Sequence, residues 1–532
     1  MIILNLRQFV LLLPKAILCF TIVFLILPGS LAHGQQFEVE ELLASDGFQE
    51  DRFGYSVSVS DGVAVVGAFA DDDQGEMSGA AYVFRKVGGA WVEEQKLIPS
   101  DGEAGDSFGI AVSIFSDLIV VGAHGDREFG DSSGAAYIFR FDGQNWMEEE
   151  KLIASDGEPL NVFGKSVAAG YDVVAIGSHQ DDDLGFASGS VYLFRLVGNQ
   201  WLEEQKLTAS DGSPYAKFGY PVSLEGQDLM VGAVGDDQLG WSAGAVYSFS
   251  FDGNIWVEEQ KLTASDGESA DAFGGSISVE GDLLVIGASG DDDNGNGAGA
   301  AYVFRRVSGQ WVEEQKLLSL QGQSVDGFGQ SCSIDRGLIA VGAPGEDGST
   351  VDSGTVYTFQ HIQGSWIQNQ KFQASDGSDS SQMAKSISFS NGSLFAGAWL
   401  DNDNGTRAGS VYLFEAGSIP SPIDLVISPL PLQGGQVGSF HVRNGNPNQP
   451  IWLAYSLVGG SCSEYFPTLN VILQLCDASN HEDNPVASGI TDLNGDFLWN
   501  LTMPLVASNI QVWFQAVQEN RVTPVVATSI LP

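Results

Sequence analysis

Four short segments carry the residues best suited to chemistry: Asp71-Asp72-Asp73, Asp181-Asp182-Asp183, Asp291-Asp292-Asp293 and Asp401-Asn402-Asp403, each followed two residues later by Gly75, Gly185, Gly295 or Gly405. Carboxylates at alternate positions can converge on a hard cation, and a glycine lets the backbone turn around it. That spacing makes Asp71, Asp73, Asp181, Asp183, Asp291, Asp293, Asp401 and Asp403 candidate calcium ligands. The segments lack the third acidic position and the closing glutamate of a full calcium loop. The competing reading is that Asp and Gly stand there as turn formers and solubilising charge. Calcium is the one cofactor the residues call for. No Gly-x-Ser-x-Gly, His-Glu-x-x-His or phosphate loop is present, and no nucleophile stands out beside a base.

The four segments are 110 residues apart, twice a repeat of 55. Phe-Gly recurs at Phe53, Phe108, Phe163, Phe218, Phe273 and Phe328, with Met383-Ala384 at the seventh place. Gly67, Gly122, Gly177, Gly232, Gly287, Gly342 and Gly397 keep the same step, as do the tyrosines from Tyr82 to Tyr412. Seven equal copies without an insertion mean one supersecondary unit packed on itself repeatedly. Within a copy, Tyr55–Val59 alternates polar and apolar, Val63–Gly67 is continuously apolar, and Ala80–Val87 and Trp91–Ile98 complete four strands. Four short antiparallel strands with Gly-rich turns, repeated radially, predict an all-β fold: a seven-bladed β-propeller. The last copy lacks its fourth strand, and Phe37–Gly47 aligns with the fourth strand of the next copy, Val92–Gly102. An N-terminal strand therefore closes the ring and removes the open edge.

Asp106-Ser107-Phe108-Gly109, Val120-Val121-Gly122-Ala123 and Gly134-Ala135-Ala136-Tyr137-Ile138-Phe139 resemble the FG-GAP repeat, and Gly342-Ala343-Pro344 is its one complete Gly-Ala-Pro. The resemblance covers residues 36 to 416. It implies the propeller of integrin α-subunits and of many secreted bacterial proteins. The integrin-type calcium loop between Phe-Gly and Gly-Ala-Pro does not carry over, because only turns such as Asp61-Gly62, Glu225-Gly226, Glu280-Gly281 and Asn391-Gly392 stand there. The resemblance implies no shared activity.

The chain of 532 residues divides into a signal peptide (1–34), the propeller (35–417), a linker (418–423) and a small β-sandwich-like domain (424–532). Arg7 and Lys15, the apolar run Ala16–Leu27 and Ser30-Leu31-Ala32 have the order of a secretory signal. Export to the periplasm, cell surface or medium follows, with no membrane span after cleavage. An oxidising compartment would permit a Cys462–Cys476 disulfide in the tail. Cys332 stands where other repeats carry valine or isoleucine and reads as a buried apolar residue. His124 and His179 occupy a position that varies among the repeats. The periodic tryptophans from Trp91 to Trp366 read as blade-packing residues.

The net charge of −45 excludes nucleic acid and anionic lipid as partners. Much of the acid falls in loops that leave a propeller on one face. These features predict a monomeric, non-catalytic adhesion or binding protein that contacts an extracellular protein or polysaccharide through that face. The alternatives are an extracellular hydrolase or lyase using loop carboxylates, and a purely structural envelope or matrix component.

Overall fold

The computed structural model describes residues 37–416, except residue 363, and the backbone strands of the tail between 424 and 531. The signal segment, the linker, and Cys462 and Cys476 lie outside the described residues. Among the described residues there is no helix, and so none that could cross a membrane.

Seven four-stranded antiparallel sheets form the propeller. Blade 1 consists of Phe53–Ser60, Val63–Ala68, Ala80–Val87 and Ala90–Leu97. Five further blades repeat that order. Blade 7 combines Ser386–Ser390, Ser393–Ala398 and Ser410–Glu415 with Glu40–Leu42, which pairs antiparallel with Ser410–Glu415. The N-terminal strand thus supplies the missing outer strand. Ser45 donates to Glu93 and Ser375 to Glu38, so the closing blade is stapled to both neighbours by the serine–glutamate contact found at most other junctions.

The hydrophobic core lies between blades. Val63, Val65, Ala81 and Val83 of blade 1 pack with Phe108, Val112, Ile119 and Tyr137 of blade 2 in one cluster. The second strands are buried along almost their whole length, which explains their mainly apolar composition. The tryptophans from Trp91 to Trp366 and Cys332 belong to this core.

The Phe-Gly and Gly-Ala series owe their regularity to close backbone approach. Gly109 has φ +87°, and a Cβ there would fall 2.2 Å from the Ala80 carbonyl oxygen of the preceding blade. A Cβ on Gly67 would in turn fall 2.0 Å from the Gly109 carbonyl oxygen. Glycine stands at the first position in six of the seven junctions and at the second in all seven. The seventh copy departs from this: Ala384 takes φ +72°.

The tail forms a three-stranded sheet (Asp424–Ser428, Val437–Arg443, Phe497–Thr502), a six-stranded sheet and a two-stranded hairpin (Ser463–Phe466, Val471–Gln474). Two multi-stranded sheets are the ingredients of a sandwich. Asp492–Asp496 looks like a hairpin turn, yet the flanking strands are not paired with each other. Ala487–Ile490 pairs with Pro450–Ser456 in the larger sheet, and Phe497–Thr502 pairs with Val437–Arg443 in the smaller one. Turn chemistry marks a change of direction without stating which strand lies beside which.

Candidate functional site

The second-to-third strand loop of each blade is anchored from below by its tyrosine. The Tyr82 hydroxyl lies 2.9 Å from Asp71 Oδ2 and 2.8 Å from Asp46 Oδ1, joining the loop to the strand connection beside it. Tyr137, Tyr192, Tyr247 and Tyr302 make the equivalent pair of contacts. In all these blades the first acid of the loop is buried.

A lysine ammonium stands among these carboxylates. Lys96 Nζ lies 2.9 Å from Asp46, 2.8 Å from Asp71 and 2.6 Å from Asp73. Lys206 lies 2.8 Å from Asp156, 3.1 Å from Asp181 and 2.6 Å from Asp183. Lys316 holds Asp266, Asp291 and Asp293 at 2.7–2.9 Å. Lys151, Lys261 and Lys371 do the same against Asp126, Asp236 and Glu346. Each lysine is fixed by register, because it faces the blade tyrosine across the third and fourth strands: Tyr82↔Lys96, Tyr192↔Lys206, Tyr302↔Lys316. At Asp71/Asp73, Asp181/Asp183 and Asp291/Asp293, therefore, a side-chain cation occupies the point on which the acids converge. In the structure these three candidate calcium pairs are each ion-paired to a lysine.

The fourth pair, Asp401 and Asp403, differs. The residue facing Tyr412 is Glu41. Glu41, Asp401 and Asp403 offer carboxylate oxygens within 4.8 Å of one another. Burial, with the Asp403, Asp376 and Asp401 charges, pushes the Glu41 carboxyl up to about 8.

A second constellation lies where the first strands begin, at the mouth of the central channel on the loop-rich face. Lys165 Nζ from blade 3 lies 5.8 Å from the Tyr55 ring centroid of blade 1. Tyr55 also meets Phe69 at 4.7 Å and Trp399 of blade 7 at 5.4 Å between ring centroids. His179 packs 5.3 Å from Tyr220 of blade 4. Burial, then the nearby Lys385 charge, lowers Lys165 to about 8, which leaves it mainly an ammonium at neutral pH. Burial and then Lys165 lower His124 to about 4, and burial with Lys165, Lys217 and His124 lowers His179 to about 3, so both imidazoles are neutral. The Nδ1 atoms of His124 and His179 are buried without a hydrogen-bond partner. Lys165, Lys217 and Lys385 touch no carboxylate, whereas every other described lysine sits on at least one. In a chain this acidic, three lysines without acidic partners form an electropositive well inside an electronegative rim.

Sequence reasoning passed over both lysine groups. The 55-residue column Lys96, Lys151, Lys206, Lys261, Lys316, Lys371 is as regular as the tyrosines, and its break at Glu41 is visible in the same alignment. The well has a weaker signal: Lys165 and Lys385 share one column of the repeat with Tyr55 and Tyr220, Lys217 belongs to the column of Arg52, and the residue type in both columns changes from copy to copy.

Comparison with protein families matches the FG-GAP repeat seven times, at residues 37–84, 91–139, 146–194, 201–249, 256–304, 311–359 and 366–414. The chain belongs to the FG-GAP repeat family. Each matched unit starts on an outer strand and ends in the third strand of the following blade, so the first unit begins with the closing N-terminal strand. No curated protein matches the chain.

Proposed function

We propose that this protein is an exported binding module whose loop-rich face takes an extracellular polysaccharide with sparse carboxylate groups, one carboxylate entering the well at the channel mouth. The observation that carries this reading is the set of cations without acidic partners, Lys165, Lys217 and Lys385, with Lys165 over the half-buried Tyr55 ring, which packs on Phe69 and Trp399. Ammonium groups bind a carboxylate, while aromatic faces and edges suit the apolar side of a sugar ring. The acidic rim disfavours densely charged polyanions and so contributes selectivity. Rigid blades with independent loops are the scaffold expected of a binding protein.

The test is binding of the mature chain to immobilised neutral, sparsely carboxylated and densely sulfated polysaccharides, repeated with Lys165→Ala/Lys385→Ala. Retention on the sparsely carboxylated polymer, weakened about tenfold or more in the variant, is expected for a lost charge-assisted contact. Binding to a protein array alone, shortening of the polymer, or equal retention of the variant would each refute the reading.

A further inference from the structure

The lysine column has one exception, and it changes the chemistry of one loop. In six blades an ammonium group faces the blade tyrosine and contacts the buried loop acid at 2.6–3.1 Å. In blade 7 the same register position is Glu41, so a cation is replaced by a fourth carboxylate beside Asp401, Asp403 and Asp376. None of the described basic side chains reaches Glu41, Asp401 or Asp403. Asp401 is only 1% exposed, and its partners are the Asp403 amide at 2.9 Å and the Tyr412 hydroxyl at 3.2 Å, both neutral. Glu41 Oε1 is buried and accepts no hydrogen bond at all. A buried carboxylate with no counter-charge is costly, and the other six copies show what the position demands: a cation at the meeting point of the acids.

We propose that blade 7 holds a divalent cation of the calcium type in place of the missing lysine, ligated by Glu41, Asp401 and Asp403, with Asp376 beside them. The three ligands, and Asp376 beside them, are all carboxylates, which suit a hard cation and give no reason for a zinc- or copper-type ion. Oxygens within 4.8 Å of one another can share one ion at the 2.3–2.6 Å distances that calcium takes. The ion would tie the closing N-terminal strand to the blade-7 loop, cross-linking the two ends of the propeller. It would also brace the segment that carries Trp399, two residues before Asp401, into the channel mouth.

The test uses the full mature chain, stripped with chelator, in calorimetric titration with calcium chloride and in thermal melts with calcium or chelator. One ion per chain with Kd on the order of 10⁻⁴ M is expected, as for extracellular calcium modules. Glu41→Lys restores the residue of the other blades, so it should abolish the heat and leave a melting temperature indifferent to calcium. Should that variant not fold, Asp403→Asn changes only an exposed acid and should weaken binding about tenfold or more. No heat and no melting shift in the parent chain at millimolar calcium would overturn the proposal. So would unchanged affinity in a folded Glu41→Lys or Asp403→Asn chain.

Discussion

Replacing Lys206 by methionine tests whether the lysine column holds the loops in place. Methionine keeps an unbranched stem over the Tyr192 ring, where Lys206 Nζ now lies 5.1 Å from the centroid, and removes only the charge. The consequence falls mainly on Asp181, whose side chain is 3% exposed, and less on Asp156 and Asp183, which are about half exposed at 49% and 52%. Stripping the partner from a buried ion pair costs about 3–5 kcal/mol, whereas an exposed pair contributes about 0–1 kcal/mol. Asp181 keeps hydrogen bonds from Ser190, Tyr192 and Asn161, which places the expected loss at the lower end, about 3 kcal/mol. With an unfolding entropy of about 0.8 kcal/mol/K for a propeller of roughly 380 residues, Tm should fall by about 4 °C. The control is Lys86→Met, whose partner Glu415 is 3.5 Å away and 52% exposed, and it should move Tm by about 1 °C or less. The effect should depend on pH with a definite sign. Burial opposes the charge on both groups, yet hydrogen bonding depresses Asp156 and, with the Asp181 charge, raises Lys206. A depressed carboxylate stabilises above its unfolded value of about 3.9 and loses that contribution as pH falls through its folded value. A raised lysine stabilises below about 10.4 and loses its contribution above. The gap between parent and variant should therefore be widest between about pH 5 and 9 and narrow in acid. Differential scanning calorimetry across that range decides the matter. A Lys206→Met chain melting within 1 °C of the parent at neutral pH, or a gap that widens in acid, would refute the reasoning.

Two further outcomes follow from the same geometry. Retention of a carboxylated polymer should decline above about pH 8, because Lys165 loses its proton there; Lys385, Lys217, His124, His179 and Tyr55 face the same space, and both imidazoles are already neutral. A pH series of the binding assay with Lys165→Arg as the control checks it, the arginine staying charged throughout. Gly329→Ala should destabilise the chain by at least about 2 kcal/mol, since it adds left-handed strain and aims a methyl 2.1 Å from the Ala300 carbonyl oxygen, and urea unfolding reads that loss.

The repeat of 55 residues and the two glycine series were sufficient to specify the ring, because each marks a place where backbones of adjacent blades nearly touch and, Ala384 apart, glycine is kept. The closing strand was equally legible: a strand missing at one end and surplus at the other has one economical solution in a ring, and Glu40–Leu42 takes it. The acidic loops could also be located, but their chemistry could not be read from the loops alone. Asp71, Asp181, Asp291 and Asp401 look alike in sequence, and the residue that distinguishes them sits on the outer strand, 25 residues downstream in the first three and at Glu41 in the last. Strand register brings it to the carboxylates, and with it decides between a structural ion pair and four uncompensated acids. The channel mouth was further from reach. Tyr55, Lys165 and Tyr220 share one column of the repeat and Trp399 belongs to another, but the residue type in both changes from copy to copy, and only closure of the ring turns their separate positions into one electropositive surface. Periodic contacts are written in the sequence because each copy repeats them, whereas contacts across the axis exist once and are set by the curvature of the whole.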